Sequence, residues 1–144
     1  MIDLDIVIVN WNTGSQLLDC LRSIIPASPA SAFLLRQCVV ADNASRDGSV
    51  DGLESLRLPV TIIRNQENKG FAFACNQGAK LGASEYVLFL NPDAKLFPDS
   101  LVKALRFLDE KRNESVGILS IQLVDEQGVI LRNVARFPSP KSLF

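Results

Sequence analysis

Histidine is absent from this sequence of 144 residues. Its absence excludes Ser-His and Cys-His nucleophile pairs, proton transfer by imidazole and zinc sites with imidazole ligands. The sequence also lacks an excess of either charge, because 15 basic residues stand against 16 acidic ones. General nucleic-acid binders carry a basic excess, so we expect no nucleic-acid partner. Carboxylates and amides remain as the polar groups of a functional site.

Cysteines are few and follow no motif. The three of them are odd in number and show no C-x-x-C spacing, which argues against a disulfide framework and a thiolate zinc site. Residues 1–5 carry two acids where a secretory signal needs positive charge. The apolar runs fall far short of the roughly 20 residues that a bilayer span requires. We therefore expect a cytoplasmic protein, and peripheral association with a membrane stays open.

Four short apolar runs predict the strands of one compact domain. The run at residues 6–9 is continuous rather than alternating, which is typical of a strand covered on both faces in a parallel sheet. Helical spacing separates the runs, so we expect an α/β fold: a Rossmann-like three-layer α/β/α sandwich with a mainly parallel sheet. The other three runs lie at residues 38–41, 60–63 and 86–90.

Local patterns predict where the helices begin and end. Thr13 and Gln16 form a capping-box pattern, and Pro26 is expected to end the helix that follows it. Further helices are predicted within residues 48–58, from Phe71 onward and after Pro98. The packed face of the second of these is predicted to contain Phe71, Ala74, Cys75 and Gly78. A hairpin is predicted at residues 118–134, with its turn at 125–128.

A carboxylate follows the predicted strand at residues 86–90. In the sequence Asn91-Pro92-Asp93, the Asp93 carboxylate is placed to bind Mg²⁺ or Mn²⁺ while diphosphate oxygens complete the coordination. An Asx-Pro turn that simply leaves the strand explains these residues equally well. The sequence leaves both interpretations open.

Asp42 and Asn43 follow a second predicted strand. An Asp at this place can accept hydrogen bonds from a base or a ribose hydroxyl. The alternative is an Asx turn in which Ser45 and Asp47 cap a following helix. Trp11, the only tryptophan, follows the first strand, where it can offer a flat face to a nucleobase or cover the end of the sheet.

Neither common phosphate-binding motif is present. The pattern G-x-x-x-x-G-K-[ST] is missing, and no G-x-G-x-x-G follows the first strand. Lys69 and Gly70 nevertheless open the helix predicted from Phe71, so that a cation, a glycine and free backbone N–H groups meet at a positive helix end. Such an end suits a phosphate, which favours a nucleotide ligand held without those motifs.

Four segments, in this order, resemble the family-two inverting glycosyltransferases of GT-A fold. The subgroup that the sequence looks most like is the rhamnosyltransferase-type enzymes of surface polysaccharide assembly. The resemblance implies transfer of a sugar, with inversion, from a dTDP- or UDP-sugar to a glycan or lipid-linked acceptor. The segments are residues 7–12, 40–49, 65–72 with Asn76 and Gly78, and 89–94, and residues 136–140 add a further likeness to the subgroup.

The same resemblance implies the roles of individual residues. Asn91 stands in place of the first carboxylate of a D-x-D-like motif, and Asp93 is then the ligand of Mg²⁺ or Mn²⁺. The remaining residues are implied to bind the nucleotide: Asn10 and Trp11 beside the base, Asp42 on the base or ribose with Asn43 supporting its loop, and Lys69, Gly70 and Asn76 near the diphosphate.

The general base of that family, an Asp, is expected after residue 144 together with most of the acceptor site. Asp125 and Glu126 are interpreted as solvated turn residues. We therefore expect residues 1–144 to be a single, incomplete domain that binds a nucleotide weakly, transfers no sugar alone and self-associates through an open sheet edge. The alternative function is a non-catalytic nucleotide-binding or interaction domain of Rossmann-like fold. A phosphoacceptor receiver domain fits less well, since it needs an acidic pair after its first strand.

Overall fold

The computed structural model describes residues 2–131, which form an α/β fold around one parallel sheet. The sheet has four strands in the order β3-β2-β1-β4, and every neighbouring pair is parallel. The strands are β1 (Asp3–Asn10), β2 (Leu34–Asp42), β3 (Val60–Arg64) and β4 (Tyr86–Leu90). The helices are α1 (Ser15–Ala27), α2 (Phe71–Ala79) and α3 (Ser100–Asp109), with single 3₁₀ turns at Leu53–Ser55 and Lys111–Asn113.

Helices cover both faces of the sheet, as the sequence predicted. The larger core lies on one face, where β1 and β2 pack against α1 and α3 through Ile6, Ile8, Leu21 and Leu101. On the other face α2 packs on β1 and β2. Gly78 makes that approach close, because a Cβ there would lie 2.5 Å from Cγ1 of Val7. Central β1 is buried along almost its whole length, which confirms the prediction from its continuous apolar run.

The start of α1 differs from the predicted capping box. The hydroxyl of Thr13 donates to Oδ1 of Asn10 rather than to the helix, and the helix begins at Ser15 after a Gly14 cap. The amide of Gly14 instead donates to Oδ2 of Asp47, 2.7 Å away on another loop. The capping-box prediction is therefore wrong, because the Thr13 hydroxyl is engaged by Asn10 and the Gly14 amide has an acceptor on another loop.

Two other predictions about helices are wrong. Pro26 lies inside α1, which continues to Ala27. Because proline has no N–H to donate and its ring crowds the carbonyl four residues back, the helix continues only one residue beyond it. The helix predicted within residues 48–58 is reduced to the single 3₁₀ turn Leu53–Ser55, where only Leu53 is buried.

Strand β4 is less covered than its apolar sequence predicts. It lies at the edge of the sheet, and α2 packs on β1 and β2 instead. As a result Val87 and Phe89 are 45% and 47% exposed, while Leu90 is buried against the main core. The position of Phe71 is a similar correction, since it is exposed rather than packed on the sheet.

The predicted hairpin is present only as a turn. An antiparallel bridge joins Val124 to Ile130, and Gly128 takes the left-handed conformation within that turn. Oδ1 of Asp125 accepts from the amides of Gln127 and Val129, so this carboxylate shapes the turn. The predicted residues 132–134 of the hairpin and the segment 136–140 lie outside the described residues. Within residues 2–131, no helix is long and apolar enough to cross a membrane.

Candidate functional site

Polar residues meet at the carboxyl end of three neighbouring strands. Asn10 ends β1 and Asp42 ends β2, and the two are paired in the register of the sheet. On the other side of β1, Ile8 pairs with Leu90, the last residue of β4, and Asn91 follows it directly. Ligands of open parallel sheets bind outside this end of the strands. The structure therefore brings the loops after β1, β2 and β4 to one edge.

Asn10 is the centre of a buried hydrogen-bond network. Three oxygens lie within hydrogen-bond distance of its Nδ2 and share its two hydrogens: Oδ1 of Asp42 at 2.7 Å, Oγ of Ser45 at 3.0 Å and Oγ of Ser49 at 2.8 Å. The Asn10 side chain is completely buried, and its Oδ1 accepts the hydroxyl of Thr13. The amide thereby joins the loop after β1 to the loop after β2. Sequence reasoning missed Thr13 as a partner, and a polar residue ending a buried strand was the only sign of the network.

Asp42 is buried and engaged on both oxygens. While Oδ1 accepts from Asn10, Oδ2 accepts from the backbone amide of Ser45 at 3.1 Å. This second bond joins the side chain to the amide three residues on, and no helix capped by Ser45 or Asp47 follows directly, so it differs from the Asx turn with a capped helix that the sequence left open. The carboxylate thus fixes the shape of the loop, and a ligand would meet the lone pairs that these two bonds leave free.

The loop after β2 is also tied to the amino end of α1. The amide of Asn12 donates to Oγ of Ser45, and the amide of Arg46 donates to Oδ1 of Asn12 at 2.8 Å. Hydrogen bonds from the hydroxyl and then the amide of Ser49, with a smaller one from Gly14, hold the pKa of Asp47 below its ordinary value. Sequence reasoning did not assign these contacts, because their partners lie more than thirty residues apart.

Trp11 lies in the loop directly after β1, at the same edge of the sheet. It is 58% exposed, directly after the buried end of β1. Asn12 beside it has a φ of 52°, a left-handed conformation that asparagine adopts more readily than most residues. The tight turn at Asn12 leaves the indole ring largely uncovered, and a flat exposed ring of this kind can stack on a base.

The amino end of α2 lies next to the same loop. Nδ2 of Asn43 donates to the carbonyl of Gly70 at 3.3 Å, so the loop after β2 contacts the cap of the helix. Gly70 has a φ of 86°, which side chains other than glycine adopt only with strain. Lys69 is about half exposed, pairs with Glu67 at 3.4 Å and lies 5.3 Å from the ring centroid of Phe73. Its ammonium group therefore has weak, exposed partners that an anion can replace.

A pair of amides that the sequence reasoning missed connects α2 to the sheet. Asn65 and Gln77 exchange hydrogen bonds of 3.0 and 2.9 Å, and Asn65 also donates to Oδ1 of Asn43 at 3.1 Å. Asn76, which the sequence placed near the diphosphate, is exposed on α2 and lines a shallow surface pocket with Phe73. Its neighbour Gln77 makes the structural contacts instead.

The loop between β4 and α3, residues 91–99, begins with a turn. The amide of Ala94 donates to the carbonyl of Asn91 at 3.1 Å, with Pro92 at the second position of the turn. This β-turn leads the chain away from the end of β4 and holds Asp93 in an exposed position. Burial and, to a lesser extent, the charge of Asp93 raise the pKa of the Cys20 thiol to about 12.

The oxygen groups of this turn fit a hard cation that is held partly by its ligand. Among residues 2–131, no group of three or more His, Cys, Asp and Glu side chains is placed to hold a metal ion by itself. Asp93 supplies one carboxylate, and Asn91 supplies a side-chain amide oxygen. Mg²⁺ is commonly bound by one or two carboxylates together with substrate phosphates. The donor set therefore suits a cation that arrives with a diphosphate.

Comparison with known families identifies the chain. The family model described as Glycosyl transferase family 2 matches residues 5–136, which is most of the sequence. The chain belongs to glycosyl transferase family 2.

Curated relatives of the family 2 chain are named as glycosyltransferases. An "Uncharacterized glycosyltransferase" of Haemophilus influenzae is 28% identical over 110 residues, 76% of this chain and 36% of that protein. The "Putative teichuronic acid biosynthesis glycosyltransferase TuaG" of Bacillus subtilis is 27% identical over 109 residues, 74% of this chain and 42% of that protein. The chain thus spans less than half the length of these relatives.

Solved structures of similar fold confirm the predicted α/β architecture. Staphylococcus aureus TarS in complex with UDP-GlcNAc gives a TM-score of 0.67 at 23% identity over 77% of this chain and 32% of that one. The mannosyltransferase PcManGT from Pyrobaculum calidifontis, in complex with GDP-Man and Mn²⁺, also gives 0.67 at 23% identity, over 75% and 32%. At this level of identity the likeness concerns the fold of the family 2 chain.

Proposed function

We propose that this chain binds the nucleoside-diphosphate sugar of a glycosyltransferase. The observation that carries the proposal is the meeting of the loops after β1, β2 and β4 at one edge of the sheet, in a chain of glycosyl transferase family 2. The complexes of similar fold support it, since their names include UDP-GlcNAc in one case and GDP-Man in another. The nucleotide of the donor, dTDP or UDP, is proposed from the sequence resemblance.

The exposed and buried residues of the site divide the binding task. The base would stack on Trp11, and the ribose or base would meet the edge of the loop that Asp42 and Asn43 hold in shape. The diphosphate would lie between the amino end of α2 and the loop after β4. There Lys69 and the free amides after Gly70 supply positive potential.

Asp93, assisted by Asn91, would hold Mg²⁺ or Mn²⁺ against the diphosphate. Such an ion neutralises charge that develops on the leaving nucleoside diphosphate during sugar transfer. One similar structure contains Mn²⁺, which supports the use of a divalent cation. The chain's own part in this step is to present a carboxylate on a rigid turn, so that the ion and the diphosphate bind together.

The remainder of the reaction is proposed for a longer protein. Residues 1–144 would be its donor-binding part, and the general base and most of the acceptor site would lie outside them. A role in polysaccharide biosynthesis is supported by the relative named for teichuronic acid biosynthesis, and transfer to a glycan or lipid-linked acceptor stays a prediction from the sequence resemblance. Inversion, a rhamnosyl donor and a cytoplasmic location with peripheral membrane contact stay predictions from the sequence, as does self-association of this chain.

Calorimetric titration tests the donor site. The chain is titrated with UDP, dTDP and GDP, each with Mn²⁺ and with a chelator. We expect one nucleotide to bind more tightly with Mn²⁺, and Asp93→Ala to remove that increase because the carboxylate that shares the ion is gone. Glu126→Gln is the matched control, since it removes an exposed carboxylate from a different turn, at residues 125–128.

Two results would contradict the proposal. The metal assignment fails if metal leaves the affinity unchanged in both the parent chain and Asp93→Ala. The donor site itself fails if no nucleotide binds. Binding without sugar transfer in the longest natural form of the protein would instead favour the non-catalytic alternative.

A further inference from the structure

Helix α1 contacts the loop that carries Asp93 at two points, one before Asp93 and one after it. The Cys20 thiol donates to the carbonyl of Asn91 at 3.5 Å, two residues before Asp93. Oγ of Ser23 accepts from the amide of Leu96 at 3.0 Å, three residues after Asp93. Both contacts join residues more than seventy positions apart, so they are tertiary and do not follow from the turn itself.

The two groups on α1 are arranged as one unit. Cys20 and Ser23 are three residues apart and therefore share a face of the helix. The hydroxyl of Ser23 donates to the carbonyl of Cys20 at 2.6 Å, which directs an oxygen lone pair toward the amide of Leu96. Cys20 is fully buried and Ser23 is half-buried, so water competes weakly for these contacts.

A third contact between the same elements is of a different kind. Lys95 lies 2.9 Å from Oδ2 of Asp19, but both side chains are largely exposed. Exposed ion pairs contribute little and weaken with salt. Ala94 and Leu96 of this loop also pack against the main core, so Cys20 and Ser23 supply its buried or half-buried polar contacts to α1 rather than its whole attachment.

We propose that Ser23 and Cys20 are positioning residues for Asp93. By fixing its loop they raise the affinity with which Asp93 and a bound nucleotide together hold a metal ion. The inference rests on the proposed function. An exposed turn that is already fixed loses less conformational freedom when the ion binds, so the ion binds more tightly. Neither positioning residue needs to touch the ion or the nucleotide for this effect.

The test compares Ser23→Ala with Ser23→Thr in the full 144-residue chain. Calorimetry with UDP, or whichever nucleotide the chain prefers, gives the ratio of affinities with and without Mn²⁺. We expect Ser23→Ala to lower this ratio about fivefold, the equivalent of one ordinary hydrogen bond, and to leave the affinity without metal unchanged. Ser23→Thr keeps the hydroxyl and should restore the ratio. Ser55→Ala is the control, because that hydroxyl makes a similar local bond at Gly52.

A readout independent of nucleotide accompanies the titration. Hydrogen exchange at the Leu96 amide should become faster in Ser23→Ala and stay slow in Ser23→Thr, because only the first variant removes its acceptor. Cys20→Ala should lower the metal ratio in the same direction. In the double variant of Ser23→Ala with Asp93→Ala, the serine change should have no further effect on the ratio, since the group that it positions is absent.

The outcomes separate this inference from the proposed function. If the parent chain binds a nucleotide more tightly with Mn²⁺ but Ser23→Ala keeps the full ratio, the positioning role is wrong and the donor site stands. A serine effect that persists in the Asp93→Ala background also refutes it, because the effect then acts elsewhere. If the parent chain shows no metal dependence, the proposed metal site fails and the inference fails with it.

Discussion

Replacing Asn10 by aspartate tests the buried network by placing two carboxylates against each other. The new oxygen of Asn10→Asp would stand where Nδ2 now lies, 2.7 Å from Oδ1 of Asp42. Two carboxylates so close share one proton, because the second ionisation is opposed by repulsion. The carboxylate pair therefore titrates as a unit with one pKa raised above the value in the unfolded chain.

The size of the effect follows from that distance. Two full charges 2.7 Å apart repel by about 6 kcal/mol at an effective dielectric constant of about 20. That energy corresponds to about four pKa units. A raised pKa means that the folded state keeps a proton which the unfolded state releases, so the free energy of unfolding falls as the pH rises. From about pH 4 to about pH 7 the expected loss is about 4 kcal/mol, a large part of a typical stability of about 5–15 kcal/mol.

Urea unfolding followed by circular dichroism at several pH values measures this loss. The free energy of unfolding of Asn10→Asp, subtracted from that of the parent chain, should give a difference that grows steadily with pH. Asn68→Asp is the matched control, since it makes the same chemical change in an exposed side chain that acts as an acceptor for the Gly70 amide. A difference for Asn10→Asp that stays constant with pH, as in the control, would show that Asn10 and Asp42 are not in contact.

Other variants and titrations test further parts of the structure. Gly78→Ala should lower the free energy of unfolding by about 1–3 kcal/mol in urea, because the added Cβ meets Val7 at 2.5 Å; an unchanged stability would mean that α2 lies further from the sheet. Burial raises the pKa of all three cysteine thiols, so a thiol reagent should modify them slowly at about pH 8 until urea is added; fast modification of the native chain would contradict their burial. Hydrogen bonds, the largest from Ser49, lower the pKa of Asp47 from its ordinary value of 3.8. The hydrogen bond from the Gly14 amide to the Asp47 carboxylate should therefore persist below pH 3.8 and weaken only as the pH falls through the lowered pKa. NMR titration of the Gly14 amide measures the midpoint of this transition, and a midpoint at or above pH 3.8 would contradict the lowered pKa of Asp47.

The strands were predictable because each contains a short run of mainly apolar residues. A continuous apolar run at residues 6–9 required cover on both faces, and β1 is the strand that has it. The run at residues 86–90 is equally apolar, but what covers a strand depends on where distant helices pack. Helix α2 lies over β1 and β2, so Val87 and Phe89 of β4 are left exposed. The sequence of β4 alone carries no sign of that placement.

The meeting of the loops after β1, β2 and β4 was predicted better than the contacts of their side chains. Polar residues after buried strands indicated the right edge of the sheet, since parallel strands place their carboxyl ends together. The sequence could not show that the side chain of Asn10 points inward to Asp42 and Ser49, because pairs more than thirty residues apart leave no local pattern. At Thr13 a different local contact replaces the predicted cap, since its hydroxyl donates to Asn10 three residues earlier.

The order of the strands also governs how this chain folds. Strand β1 pairs with β2 across one short helix, but its other neighbour, β4, begins only at Tyr86. Closing that longer segment costs more chain entropy and slows folding, so we expect β1, β2 and β3 to associate before β4 joins them. The loop with Asp93 follows β4, so we expect it to be the last of the loops at the carboxyl edge of the sheet to reach its folded position. A nucleotide that needs both Asp42 and Asp93 would consequently bind, and stabilise, only those chains whose sheet is complete.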